Sequence, residues 1–152
     1  MDRWNEKELI QQDWISNKID QSTVDFAKKF GKYLAKDDME QVTDKFGKPK
    51  MNTVGEKLTT SQLRKFFGEV KRQQILGYNE SSFVMLSPKL AYAVGRAKKN
   101  MRNGVKYCKI EDFLIVFEDA IKQVVNSENK DKAFKNFIEI YEAIVAFHKA
   151  AE

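Results

Sequence analysis

The sequence contains very little cysteine and histidine. Among its 152 residues there is one cysteine, Cys108, and one histidine, His148. A single cysteine cannot form an internal disulfide, and one residue of each kind is too few for a Cys/His zinc site. The sequence therefore excludes a disulfide scaffold and a zinc-stabilised fold, so an apolar core has to stabilise the protein.

Long apolar runs are also missing. No stretch of about 18 consecutive apolar residues could cross a bilayer, and residues 1–14 are charged where a signal peptide would be apolar. We therefore expect a cytoplasmic protein that does not enter a membrane. The apolar residues that are present, 42% of the chain with eleven phenylalanines, suffice for the core of one domain over residues 1–152.

Proline and glycine are sparse, at two and seven residues, and three of them stand where helices would begin or end. Ser87-Pro88 is typical of a helix start, and Gly77 and Gly104 are typical of helix ends. Residues 22–25 and 59–62 have the spacing of capping boxes. With no clear strand alternation or Asn-Gly hairpin, the sequence predicts an all-α fold, a single compact bundle of about five to six helices.

The predicted helices cover most of the chain. They are an amphipathic segment near residues 6–16, a long or broken helix over 22–46, two basic helices at about 60–77 and 87–104, and two further helices at about 110–126 and 130–150. Residues 47–55, which include lysines and turn formers, are predicted to form a loop.

Positive charge is concentrated in the middle of the chain. Residues 57–109 contain twelve Lys or Arg but only two Glu, a net of +10, whereas residues 1–56 carry −1 and residues 110–152 carry −4. A domain with this distribution has a side that faces a polyanion.

A helical wheel divides each basic helix into two faces. The predicted buried stripes are Leu63, Phe66, Phe67 and Val70 in the first helix and Leu90, Ala93, Val94, Ala97 and Met101 in the second. The opposite, basic faces consist of Ser61, Arg64, Lys65, Gly68, Lys71 and Arg72 in the first helix and Tyr92, Gly95, Arg96, Lys98, Lys99 and Arg102 in the second.

The basic faces lack carboxylates, which favours polyanion binding over a merely solvated surface, because a soluble surface usually mixes both signs. The cations would contact phosphates, and Tyr92 would stack on a base or contact a sugar. Gly68 and Gly95 are costly inside helices, which indicates that RNA backbone or a neighbouring helix approaches them closely. The alternative interpretation is that both faces only contact water.

The last predicted helix has apolar residues too widely spread for one stripe, so we expect it to be the central helix or to expose a patch for a partner protein. His148 lies beside this face. Without a nearby nucleophile or paired acid, it is expected to be a core residue.

Four stretches in the central and C-terminal parts of the sequence resemble a known family, the small subunit of type III-A CRISPR effector (Csm) complexes. They are Leu58-Thr-Thr-Ser-Gln-Leu-Arg-Lys65, Lys89-Leu-Ala-Tyr-Ala-Val-Gly-Arg96, Phe113-Leu-Ile-Val-Phe117 and Phe137-Ile-Glu-Ile-Tyr-Glu-Ala-Ile-Val-Ala-Phe-His-Lys149. Their order and approximate spacing are similar to those of the family. Residues 1–56 do not align with this motif pattern.

The resemblance implies a helical bundle that stacks in several copies along CRISPR RNA and its paired target RNA, beside the other subunits of the Csm complex. It implies a non-catalytic subunit without a cofactor, which contacts RNA backbone without reading sequence. By motif position it assigns Ser61, Arg64, Lys65, Tyr92 and Arg96 to RNA binding, and the isolated protein could also self-associate.

Two alternatives remain open from sequence alone. An independent DNA-binding protein is one, although the gap of about ten residues between the basic helices is longer than a helix-turn-helix turn. The other is a metal-independent ribonuclease that would use Tyr92 with Lys99 or Arg96, although the sequence offers no paired acid and base.

Overall fold

The computed structural model describes Trp4 and residues 8–152. Helices make up 62% of the fold, and two small two-stranded sheets accompany them. In chain order the elements are α1 (Gln12–Ser16), α2 (Gln21–Leu34), β1 (Asp38–Thr43), β2 (Pro49–Gly55), α3 (Thr60–Leu76), α4 (Glu80–Val84), α5 (Leu86–Arg96), β3 (Asn100–Arg102), β4 (Val105–Tyr107), α6 (Ile110–Val125) and α7 (Lys130–Ala151). The predicted segment at 6–16 lies partly outside the described residues.

The helix caps agree only partly with prediction. Thr59 and Gln62 form the predicted capping box at the start of α3, and Gly77, at φ +90°, follows its last residue as expected. At the start of α2 the box is formed by Asp20 and Thr23 instead. The predicted box at residues 22–25 is therefore wrong, because Asp20 already supplies the side chain that accepts from the Thr23 amide.

Helix α7 is the centre of the core, as predicted from its wide apolar face. It packs against α1, α2, α3 and α6. Its Tyr141 is fully buried, lies in ring contact with Phe67 and Phe117, and donates a hydrogen bond to the Leu63 carbonyl at 3.1 Å. Burial raises the pKa of Tyr141 well above its ordinary value. One cluster of buried side chains joins α7 to the other helices.

The prediction of a purely all-α fold is wrong in two places. In the first, residues 38–43 do not continue a helix but form β1, which pairs antiparallel with β2. Residues 49–55, predicted to be a loop, form β2. Asp44 closes this hairpin, since its carboxylate accepts from the amides of Phe46 and Lys48 at 2.8 and 2.9 Å.

The second hairpin, β3 with β4, begins within the range predicted to be helix up to Gly104. Helix α5 ends at Arg96 instead. The turn consists of Asn103 and Gly104, at φ 50° and 79°. Positive φ at both positions is typical of the Asn-Gly hairpin turn, so the expectation that no such hairpin is present is wrong.

Buried polar side chains join the two hairpins to the bundle. The Asp38 carboxylate of β1 lies 3.0 Å from both Arg102 of β3 and Lys109, which precedes α6. The Lys109 ammonium also donates to the Tyr33 carbonyl of α2 at 2.6 Å. These contacts fix where β1 and β3 leave the bundle.

A second set of contacts continues this joint towards α6. The Tyr33 hydroxyl lies 2.7 Å from the hydroxyl of Tyr107 and from Asp112 Oδ2, and Tyr107 also donates to Asp112. Burial, together with Asp112, raises the pKa of both tyrosines. None of the described helices is long and apolar enough to cross a membrane.

Candidate nucleic-acid interface

Helices α3 and α5 lie on either side of a cleft of about 780 Å³. Its floor is apolar and includes Phe66, Leu90 and Phe113. Its rim is polar and basic, with Lys65 from α3 and Lys89, Tyr92 and Arg96 from α5, together with one carboxylate, Glu69. The structure therefore brings Lys65, Tyr92 and Arg96, three of the predicted site residues, to a single concave surface.

Lys89 belongs to this rim although the predicted site does not include it. It lies three residues before Tyr92 and seven before Arg96, a spacing that places all three on one side of a helix. The helical wheel could therefore have found it.

Several cations of the predicted site lie beyond ion-pair distance of every carboxylate in the described part of the chain, Trp4 and residues 8–152. These are Arg64, Lys65, Arg96 and Lys98, all exposed, as is Ser61 at the start of α3. Arg96 instead lies over the ring of Tyr92, 5.6 Å from its centroid, and Tyr92 is 67% exposed. An aromatic ring and an unneutralised guanidinium are thus presented together to solvent.

Other predicted site cations are paired with acids. Lys71 lies 2.8 Å from Glu142 of α7, and Arg72 lies 2.8 Å from Glu69, one turn away on α3. Glu69 also accepts from Lys89 at 3.1 Å, which bridges α3 to α5. The hydrogen bond from Arg72, with further ones from Lys89 and Gln73, lowers the pKa of Glu69 to about 2. Glu69 is therefore ionised and a weak base.

Three predicted residues lie beyond the end of α5 and not on its helical face. Lys98 lines a small hollow with Lys57 and Thr59. The Lys99 ammonium donates to the carbonyls of Val94 and Ala97 at 2.8 and 3.3 Å, so it caps the end of α5. Arg102 lies on β3, where it pairs with buried Asp38. Their assignment to one helix is wrong because the chain turns into the second hairpin.

The predicted buried stripes agree with the structure for α3 and only partly for α5. Leu63, Val70, Leu90 and Val94 are buried, and Phe66 and Phe67 are half-buried. Ala93 and Met101 are exposed instead, Ala93 because it faces the open cleft and Met101 because it lies on β3. Ala97, just after α5, is half-buried.

The two glycines of the basic faces have open space beside them. A Cβ added at Gly68 or at Gly95 would meet nothing within 4 Å. No neighbouring helix within the described chain therefore explains them. The approach of RNA backbone to these glycines stays a prediction.

His148 is a core residue, as predicted. It is 1% exposed, and its Nε2 lies 2.6 Å from the Leu58 carbonyl, to which it donates. Among the described residues, no group of three or more Asp, Glu, His or Cys side chains could hold a metal ion.

Comparison with known proteins decides the family. The family model Csm2 Type III-A matches residues 32–152. The chain belongs to the Csm2 family. It is thus a small subunit of type III-A CRISPR effector complexes, which associates with the other Csm subunits. Neither the curated proteins nor the solved structures include a match to it.

The Csm2 match contains all four motifs that carried the resemblance, both basic helices and both hairpins. It begins at residue 32, near the end of α2 and ahead of the first motif. Csm2 is a structural small subunit.

Proposed function

We propose that this Csm2-family subunit binds the backbones of guide RNA and target RNA without reading sequence, and that it stabilises the effector complex without catalysing a reaction. The RNA-binding surface, called here the basic face of α3 and α5, would consist of Ser61, Arg64 and Lys65 of α3, Lys89, Tyr92 and Arg96 of α5, and Lys98 just beyond the end of α5. The observation that carries the proposal is a set of four exposed cations without acid partners within the described chain, two of which, Lys65 and Arg96, line an open cleft.

Phosphate contacts explain why such a surface needs no base-specific side chains. Guanidinium and ammonium groups bind phosphate oxygens, and those contacts position a protein on a nucleic acid without specifying sequence. In an RNA-guided complex, base pairing supplies the sequence recognition. A surface with four cations that no described carboxylate neutralises can supply those phosphate contacts.

The affinity of one copy is expected to be low and strongly salt-dependent. Four phosphate contacts supply limited affinity, and because each contact releases counterions that affinity falls as salt rises; several subunits along one RNA act together. Weak binding by the isolated chain at moderate salt is therefore compatible with tight retention of RNA in the complete complex.

The test is the salt dependence of RNA binding, measured by fluorescence anisotropy with a labelled single-stranded RNA at several salt concentrations. The variant is Arg64→Gln, Lys65→Gln, Arg96→Gln and Lys98→Gln combined, which avoids the cations already engaged within the chain. We expect the slope of log affinity against log salt to become shallower by roughly 0.7 for each phosphate that the variant no longer neutralises.

A matched control removes four exposed lysines elsewhere, Lys18, Lys28, Lys32 and Lys36, on and beside α2. This control should leave the slope nearly unchanged. Equal slopes for the wild type and the α3/α5 variant would contradict the proposed surface. A strong preference for one DNA sequence over RNA would favour the independent DNA-binding alternative.

A further inference from the structure

The first hairpin projects from the bundle as an arm, defined here as residues 39–53. None of these residues is buried. A two-stranded ribbon without a packed face is only marginally stable by itself. Because the apolar side chains of the arm are not buried, they contribute little to the core, and their exposure calls for another explanation.

The tip of the arm is preformed by its own hydrogen bonds. Asp44 and Lys48 pair across a three-residue loop, with the Asp44 amide donating to the Lys48 carbonyl at 2.9 Å. Gly47, at φ +76°, occupies the position where such loops need a left-handed residue. The Asp44 carboxylate accepts from two further backbone amides. The loop residues are consequently presented in a defined conformation.

The loop presents an aromatic ring among lysines. All eleven phenylalanines lie in the described part of the chain, and Phe46 alone among them is exposed, at 74%. The Lys45 ammonium lies over its ring at 5.2 Å. Lys45, Lys48 and Lys50 are exposed and have no carboxylate within ion-pair distance among Trp4 and residues 8–152.

The base of the arm is anchored, unlike its tip. Asp38 is held by Arg102 and Lys109, and a Cβ on Gly55 would approach the Tyr107 ring to 2.9 Å. Strand β2 also lies against β3. An anchored base and a preformed tip let the arm hold a ligand without first being ordered.

We propose that the tip of the arm, Lys45, Phe46, Lys48 and Lys50, is a second RNA-binding site that takes an unpaired nucleotide. The Phe46 ring stacks on the base, and the lysines contact the flanking phosphates. Aromatic stacking with cations along the backbone is the usual chemistry of sequence-tolerant single-strand binding. This surface is separate from the α3/α5 face, and it rests on the proposed function only in the choice of RNA as ligand.

Charge favours RNA over a protein partner for this site. An apolar pocket on a protein would accept Phe46 but would not require three unneutralised lysines within five residues of it. A phosphate backbone complements that charge directly. An RNA ligand and a protein partner would respond differently to substitutions at the tip, so the two kinds of ligand can be distinguished by experiment.

The experiment measures binding of the full chain to a labelled oligouridylate at low salt, with Phe46→Ala, Phe46→Leu and Phe46→Trp. Loss of one stacked base should weaken binding by about fivefold or more. Leu keeps apolar area without an aromatic face, so it should behave like Ala, whereas Trp should retain binding. Phe46 is exposed, so thermal unfolding of all three variants should match the wild type.

The lysines are tested separately with Lys45→Gln, Lys48→Gln and Lys50→Gln combined, against the control Lys28→Gln, Lys32→Gln and Lys36→Gln on and beside α2. For the arm variant, the slope of log affinity against log salt should become shallower by roughly 0.7 for each phosphate left without a cation. For the control, this slope should stay unchanged. Unchanged binding by both the Phe46→Ala and arm-lysine variants would overturn the proposal.

The outcomes separate this site from the α3/α5 face. If the arm variants bind as the wild type while the α3/α5 variant is weakened, the arm proposal fails and the proposed function stands. If Phe46→Leu binds RNA as the wild type does, base stacking is refuted. If Phe46→Ala reduces recovery of other Csm subunits from cells without changing RNA affinity, the arm is a protein contact. A wild-type chain that binds no RNA at low salt overturns both proposals.

Discussion

The ammonium of Lys109 lies 3.0 Å from a carboxylate oxygen of Asp38, and both side chains are almost entirely withdrawn from water, at 2% and 3% exposed. Burial lowers the pKa of Lys109, while the hydrogen bond and charge of Asp38 oppose that change. The Lys109 ammonium also lies 3.9 Å from the centre of the Tyr33 ring. The attachment of β1 to the bundle therefore depends on one buried carboxylate held between two cations, Lys109 and Arg102.

Asp38→Asn should strongly destabilise the protein, because it leaves the Lys109 ammonium buried without its anion. Breaking one side of a buried pair costs about 3–5 kcal/mol. The measurement is the free energy of unfolding from urea denaturation. Glu40→Gln, an exposed change on the same strand, is the control and should stay within about 0.5 kcal/mol of the wild type. If Asp38→Asn lost as little free energy of unfolding as the control, this result would contradict the buried ion pair.

Tyr33 should make stability decline at alkaline pH. Burial raises its pKa above the ordinary 10.0, so the folded protein keeps a proton that the unfolded chain loses. This contribution is fully present below pH 10 and decreases as the pH rises above it. Between about pH 8 and about pH 11, the free energy of unfolding of Tyr33→Phe should fall by up to about 1 kcal/mol less than that of the wild type. This figure allows for solvent screening.

Chemical denaturation at the two pH values measures this difference. Tyr92→Phe, which removes an exposed hydroxyl, is the control and should decline in parallel with the wild type. If the free energy of unfolding of Tyr33→Phe also declined in parallel with that of the wild type, Tyr33 would have the same pKa in the folded and unfolded states, which would contradict this prediction.

Two glycines should respond in opposite ways to replacement by alanine. A Cβ at Gly31 of α2 would lie 2.8 Å from the Ile144 carbonyl oxygen and 2.9 Å from the His148 amide nitrogen, both backbone atoms of α7. Gly31→Ala should therefore cost about 1–3 kcal/mol of stability. Gly68→Ala, with open space beside it, should stabilise α3 by up to about 1 kcal/mol.

RNA affinity then distinguishes the explanations of Gly68. If RNA backbone approaches α3 there, Gly68→Ala should weaken binding although it stabilises the fold. Thermal unfolding and anisotropy on the same preparations give both quantities. A lower unfolding temperature for Gly68→Ala than for the wild type would contradict the open space that the structure shows.

Glu69, at the rim of the cleft, should restrain RNA binding because it neutralises Arg72 and Lys89. Glu69→Gln removes a negative charge and frees both cations for phosphate, so RNA affinity should rise and its salt dependence should steepen by up to roughly 0.7 per new contact. Glu80→Gln, which frees Lys130 at another surface, is the control. Anisotropy titrations that show equal or weaker affinity for Glu69→Gln would contradict this role.

The bundle could be predicted from sequence because its signals are local and periodic. The Thr59–Gln62 capping box, the Gly77 helix end and the wide apolar face of α7 each follow from spacing that one helix imposes. The burial of His148 follows from the same face. These features do not depend on contacts between distant parts of the chain.

The hairpins escape prediction for identifiable reasons. Asn103-Gly104 is a strong turn signal, but it also reads as the end of a helix because basic residues at helical spacing lead up to it. Strand β1 is held at Asp38 by partners 64 and 71 positions along the chain, Arg102 and Lys109. A pairing of that kind leaves no local pattern in the sequence.

The sequence separates the exposed cations of the candidate site from the core but does not show which of them are already engaged within the chain. Spacing within α5 implies that Tyr92 and Arg96 share one face, but that Lys65 of α3 lines the same cleft depends on how the two helices pack. The engagement of Lys71 with Glu142 and of Lys99 with the end of α5 could not be foreseen, since both depend on three-dimensional neighbours. Whether these side chains contact RNA remains a prediction for experiment.

The most direct test of the central proposal is photo-crosslinking within the native effector complex. The photoreactive residue p-benzoylphenylalanine replaces Lys65 on the basic face in one tagged chain and exposed Lys32 on α2 in another, and each complex is purified from its own cells before irradiation. We predict crosslinks to guide and target RNA from position 65, at a level well above that from position 32. Crosslinks from position 65 only to neighbouring protein subunits, or equal RNA crosslinking from both positions, would contradict the proposed RNA-binding face.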